Sequence, residues 1–187
     1  MSQWLGSTEE NLNRRERDFL MQKANVRMLS SLENTHVGDY SIDKLEQGQT
    51  VEVPRWVAEE LVAAKLAEVS EEPFETELYR ALSREKLMGP MQLSPLQGDF
   101  HVRMRRRLTY LDKAVGDGRA RKEDVDRFRG ACYDIVGMRL NKLLALAGSS
   151  LPASTLADRM TPDEASFFAN SRALSKEWKT ALLGGAK

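Results

Sequence analysis

The chain has 187 residues, 41% hydrophobic and 30% charged, with 28 Lys plus Arg balanced by 28 Asp plus Glu. That length suits one medium domain, or a helical domain with a small satellite, and the zero formal charge argues against a uniformly basic nucleic-acid coat. One cysteine, Cys132, rules out an intrachain disulfide, and no run approaches the roughly 20 apolar residues that span a bilayer. The start, Met-Ser-Gln-Trp-Leu-Gly-Ser, has neither a basic head nor a long apolar stretch, so a soluble intracellular protein is expected. With so little net charge to hold partners apart, the composition is compatible with assembly.

Residues 1–34 read as a leading helix. Ser7 or Thr8 can cap it ahead of Glu9 and Glu10, and Leu12, Phe19, Leu20, Val26, Leu29 and Leu32 form an irregular apolar stripe. Its arginines alternate with acids, the pattern of a solvated face.

Residues 35–72 read as a small β-rich domain. Val37-Gly38-Asp39-Tyr40 forms a turn into a short strand, and Gln47-Gly48 a second turn. Val51 and Val53 alternate with Thr50 and Glu52 as in a half-buried strand. Pro54 ends that strand and suits a helix start, since it lacks an N–H and its φ is fixed. Trp56, Val57, Leu61 and Ala64 then recur at helical spacing, and a short return strand follows through Leu66 and Val69. Trp56 anchors this domain, either as core under the sheet or as a partner-facing hot spot. Ser70-Glu71-Glu72-Pro73 is the linker.

Residues 73–187 read as a helical domain. Phe74, Leu78, Ala81 and Leu82 form one apolar face, and Phe100, Met104, Leu108, Leu111 and Val115 a second. The third helix takes its stripe from Val125, Phe128, Cys132, Ile135, Val136, Leu140, Leu143 and Ala147. Gly130 and Gly137, inside it, reflect either the close approach of another helix or plain tolerance. Thr161-Pro162-Asp163-Glu164 announces the last helix with a capping box, and Phe167, Leu174, Trp178 and Leu182 line one face before Gly184-Gly185. So many apolar helix faces predict poor solubility or self-association of the isolated chain. The fold class expected is mainly α: a helical bundle preceded by a small β-rich (α+β) domain and a leading helix.

Groups that carry chemistry are few. The sequence holds no phosphate-binding loop, dinucleotide fingerprint, H-E-x-x-H or paired Cys-x-x-Cys. His36 and His101 offer Cys132 no recognisable base, and Glu59-Glu60 and Asp124-Asp126 have ordinary solvent-facing explanations. No enzyme, cofactor or metal site is expected. The one concentrated charge feature is Arg103-Met-Arg-Arg-Arg107. It is either a salt-bridged solvated face or a surface for phosphate or an acidic partner, where an arginine fork pairs bidentately. Only Tyr110 lies nearby for stacking on single strands.

The pattern G-x-x-V-E-V-P-x-W-x-A-x-x-L from Gly48 to Leu61 resembles the GINS family, the four-part replication complex. Leu96, Asp99 and Phe100 resemble the family's leucine, acidic, phenylalanine segment, and Thr161-Pro162-Asp163-Glu164 followed by Phe167-Phe168 its final helix. A small β-rich domain ahead of the helical one is similar to the second and third paralogue types and their archaeal counterpart, although the long leading helix departs from that plan. The resemblance implies a non-catalytic scaffold subunit in a hetero-tetramer with sister subunits. It implies support for an MCM helicase ring and a RecJ-like partner at replication forks, in the archaeal cytoplasm or nucleoid or in a eukaryotic nucleus. Arg55, Trp56, Leu61, Arg103, Arg106 and Arg107 are the partner-interface candidates. The alternative is a helical nucleic-acid-binding or regulatory module using Arg103–Arg107, with weak DNA contact possible under either reading.

Overall fold

From Lys23 to Met28 polar and apolar residues alternate, and in the computed structural model, which describes residues 2–150 and 156–184, every second side chain is buried. That stretch is strand β1 (Lys23–Met28), the centre of a three-stranded antiparallel sheet. The expected helix through residue 34 is therefore corrected: α1 (Ser2–Met21) stops short of the sheet. Val26, Leu29 and Leu32 are three apart and mimic a helical stripe, but Ala24, Val26 and Met28 are two apart and share one face only in a strand. Ser7 and Thr8, expected at the start of the helix, lie inside α1, which begins at Ser2.

β1 pairs with β4 (Thr50–Pro54) on one side and β5 (Ala67–Val69) on the other, with Val26 opposite Val51 and Val69. The hairpin of β2 (Thr35–Val37) and β3 (Tyr40–Ile42) turns at Gly38-Asp39, where Gly38 takes φ +55°. A positive φ at the first of two loop residues is the turn that follows strand twist, and it favours glycine. The Trp56 ring packs 3.5 Å from the position of a Cβ on Gly38 and meets Tyr40 edge-on. Helix α2 (Arg55–Ala63) starts directly after Pro54 and presents Val57, Ala58 and Leu61 to Ala24, Val26, Met28 and Val53. Ala58 thus holds the inward position expected of Ala64, which is exposed.

The end of α2 is a Schellman closure, with Leu66 N donating to Leu61 O and Lys65 N to Val62 O. The residue between must be left-handed, and Lys65 has φ +60° where glycine is usual.

The chain divides into Met1–Glu72 and Pro73–Lys187. The second unit is a bundle of α3 (Phe74–Leu87), α4 (Phe100–Gly116), α5 (Lys122–Gly148) and α6 (Pro162–Leu183). Phe74, Leu78, Phe100, Met104, Phe128 and Ile135 form one core, and the Phe74 and Phe100 rings lie 5.1 Å apart. A second core joins Leu93 to Leu143, Leu146, Ala147 and Phe168. Along α5, Arg139 and Lys142 lie between the two. The protein is mainly helical and α+β, with a β-rich unit carrying the leading helix and then a helical bundle.

Replacing Lys65 by Gly removes a left-handed side-chain penalty of about 1 kcal/mol without touching any core contact. Lys65→Gly should raise stability to urea by that order, and Lys65→Val should lower it.

Candidate functional site

Continuing the α5 stripe from Phe128, Cys132 and Ile135 by alternating steps of four and three lands on Arg139, Lys142 and Leu146, all buried. Val136 and Leu140, expected on that stripe, are instead 41% exposed. The correction has a simple physical reason: two cations can occupy core positions because two carboxylates meet them there. Arg139 Nη1 donates to Glu85 Oε2 and to the Ser94 carbonyl, both at 2.8 Å. Its Nη2 donates to Glu164 Oε2 at 2.6 Å and the Arg159 carbonyl at 2.8 Å, and its Nε to Glu164 Oε1. Lys142 Nζ donates to Glu85 Oε1 at 2.7 Å and to the carbonyls of Glu85 and Met88. Ser94 donates both N–H and O–H to Glu85 Oε2, at 3.0 and 2.6 Å.

Every Arg139 N–H and every Lys142 N–H direction has an acceptor, so the cluster is saturated. Burial alone would raise the Glu85 carboxyl; hydrogen bonds from Lys142 and Ser94, with the charge of Arg139, more than offset that and hold it below the ordinary value. Burial would likewise lower Arg139, and its bond to Glu164 and the charges of Glu164 and Glu85 raise it. Glu164 also closes the capping box of α6, accepting from Thr161 N while donating its own N–H to Thr161 Oγ1. The sequence signature of the cap is therefore half of a larger role. His101 stands beside the cluster, Nδ1 3.2 Å from Thr161 Oγ1. A cluster whose Arg139 and Lys142 donors are all used inside the fold holds α3, α5 and the start of α6 together.

The residues expected at an interface fall in different settings. Leu61 is core of the first unit, 2% exposed, and so is corrected from partner contact to packing. Trp56 is half-buried against the hairpin. Arg55 forks onto Glu71 at 2.6 and 3.1 Å and lies over the Phe19 ring. Arg103 donates to Glu77 at 2.5 Å and Arg107 to Glu75 at 2.7 Å, so acids from the first turn of α3 pair with two arginines of the basic run. Arg106 is half-buried. The salt-bridged reading holds for Arg103 and Arg107, whose partners lie on α3.

A different surface stands out. On α6 the buried residues end at Phe168, and the row Leu174, Trp178, Leu182 is 63–64% exposed. On α5 the row Val136, Leu140, Leu144 is 41–48% exposed. Phe167 faces Val136, Leu140 and Leu143 across an open groove of about 170 Å³, whose other wall is His101, Arg139, Asp163 and Glu164. Contacts of Arg139 with Glu164 and of Lys179 with the Gly148 carbonyl run the two helices in the same direction. A Cβ on Gly130 or Gly137 would meet nothing within 4 Å, so no helix of the described residues approaches either. Covering Leu174, Trp178 and Leu182 alone would contribute roughly 5 kcal/mol.

Elsewhere chemistry is muted. Burial pushes the Cys132 thiol up to about 11, so it is protonated at neutral pH and a poor nucleophile. No cluster of three metal-ligating residues occurs among the described residues, and no helix there is long and apolar enough to cross a membrane. A cleft of about 430 Å³ lined by Arg119, Arg121 and Arg127 also contains Glu75 and Asp124. Two of its arginines pair with Asp124 and the third with Asp117. No protein-family model matches the chain, and no curated protein matches it.

Removing one partner of a buried pair leaves an uncompensated charge, so Arg139→Met should cost about 3–5 kcal/mol in urea unfolding of the helical unit. Because folding lowers the Glu85 pKa, its stabilising contribution is present above the unfolded value of 4.5 and is lost as pH falls through the lower folded value. Acid titration of stability should show that loss in the native chain, and Glu85→Gln should flatten it.

Proposed function

We propose that this chain is a non-catalytic assembly subunit whose helical unit docks on other polypeptides through the flank formed by α5 and α6. The observation that carries this reading is the exposed row Leu174, Trp178, Leu182 beside Val136, Leu140 and Leu144. Exposed apolar surface so concentrated on two neighbouring helices marks an interaction site. The saturated charge cluster supports it too, since the most polar part of the helical unit is committed to holding helices in place.

The resemblance to GINS subunits gives this reading its biological setting. The strand-Pro-x-Trp motif opens α2 in a β-rich unit that precedes a helical bundle, the domain order of the second and third types and their archaeal counterpart. The chain would then join sister subunits in a hetero-tetramer that braces an MCM helicase ring and a RecJ-like partner at replication forks. Energy would come from the ring's nucleotide hydrolysis. The nucleic-acid alternative is weakened by the pairing of Arg103 and Arg107 with Glu77 and Glu75, which leaves less free positive charge for phosphates.

The test is reconstitution with a candidate sister subunit and a purified MCM-type ring. A stable complex that speeds unwinding, lost on Trp178→Asp, is the expected result. Failure to join any such complex, together with tight DNA binding that falls steeply with salt, would favour the nucleic-acid module instead.

A further inference from the structure

We propose that α1 works as a clamp on the linker. While α1 is docked, Arg55 holds Glu71 against the β-rich unit; when α1 leaves, Glu71 is released and the linker loosens. This goes beyond the assembly reading and does not rest on it.

Three passages of the chain meet at Arg55. Its backbone N–H donates to the Gln22 carbonyl at 2.8 Å, directly after α1. Its guanidinium lies 4.3 Å from the centre of the Phe19 ring and forks onto both oxygens of Glu71, at 2.6 and 3.1 Å. Glu71 comes directly after the last bond of the sheet, from Ser70 N to the Asn25 carbonyl. The Arg55 and Glu71 side chains are 13% and 31% exposed, so water screens this pair less than a surface bridge. The ring of Phe19 supplies part of that cover.

Two observations make the arrangement one that opens. Phe19 is the one buried residue among the described side chains of α1, residues 10–21, and it lies outside the core under α2. A helix held by so little buried surface opens locally at low cost. The second is Arg55 Nε, which is buried with no hydrogen-bond partner among the described residues. An orphaned buried N–H is unfavourable, and water reaches it once α1 leaves, which offsets part of the cost of opening. The Arg55–Glu71 pair is then solvated and weak. Between Glu71 and α3 lie only Glu72 and Pro73, and the proline fixes its own φ and restricts the residue before it. Release adds both torsions of Glu71, so the state of α1 sets the stiffness of the linker.

A glutamate-specific protease reads the clamp in the full chain under native conditions. Cleavage after Glu71 needs that carboxylate in the protease's own pocket, away from Arg55, and Pro73 blocks the bond after Glu72. Phe19→Ala and Arg55→Met should each speed the cut after Glu71 by about tenfold or more. The double variant should be no faster than the faster single one, because both open the same clamp. Val57→Ala weakens the core of the unit without touching the clamp and should leave the rate unchanged. Coupling is reciprocal, so Glu71→Ala, at an exposed position, should speed hydrogen exchange across residues 10–21 of α1. An unchanged cut in Phe19→Ala, an equal acceleration by Val57→Ala, or α1 exchange indifferent to Glu71→Ala overturns the proposal.

Discussion

The helical unit depends on one interaction, the fork of Arg139 between Glu85 and Glu164. Through it α3, the Ser94 loop, α5 and the start of α6 meet at a single guanidinium, with Lys142 completing the charge balance. Two carboxylates and two cations buried together are costly to desolvate, and only complete hydrogen bonding makes such a group tolerable. The geometry supplies it. Hydrophobic packing alone would let α6 slide along α5, whereas a bidentate ion pair fixes its start against one residue.

What this fixation achieves lies further along the same helices. With Glu164 pinned to Arg139 and Phe168 seated in the second core, α6 is held beside α5 over its first turns. Beyond Phe168 it buries no further residue among those described. A helical segment with little tertiary packing is marginal in water, and here its exposed side carries Leu174, Trp178 and Leu182. The polar cluster thus sets the position of an apolar surface that the chain leaves uncovered. The β-rich unit follows a different logic, its core closed by α2 over one face of a three-stranded sheet.

Much of the fold was legible in the residues, and the failures have physical causes. The helices of the second unit, the strand-Pro-x-Trp unit and the Thr161 capping box follow from periodicity and cap chemistry. β1 did not, because its six residues abut a helix and its apolar positions also fit a spacing of three. Only the period-two run Ala24, Val26, Met28 could have revealed it. The charge cluster is hidden in the sequence because an apolar stripe through Val136 and Leu140 leaves Arg139 and Lys142 outside it. The heptad from Phe128 through Leu146 would have placed both cations inside and demanded buried acids for them. The Arg103–Arg107 run, conspicuous in sequence, proved to be partly answered by Glu77 and Glu75, which lie 26 and 32 residues away along the chain. Sequence pattern shows which side of α6 is apolar, but not whether this chain or another covers it.

The central claim is that the outer flank of α5 and α6 is an interface left open in the single chain. Backbone hydrogen exchange across residues 171–183 of α6 tests it most directly, followed in the dilute chain and in the assembled complex. Exchange in that segment should be fast in the dilute chain and slow by at least about tenfold on assembly, while amides around Arg139 are protected in both. Equal exchange in the two states would contradict the account.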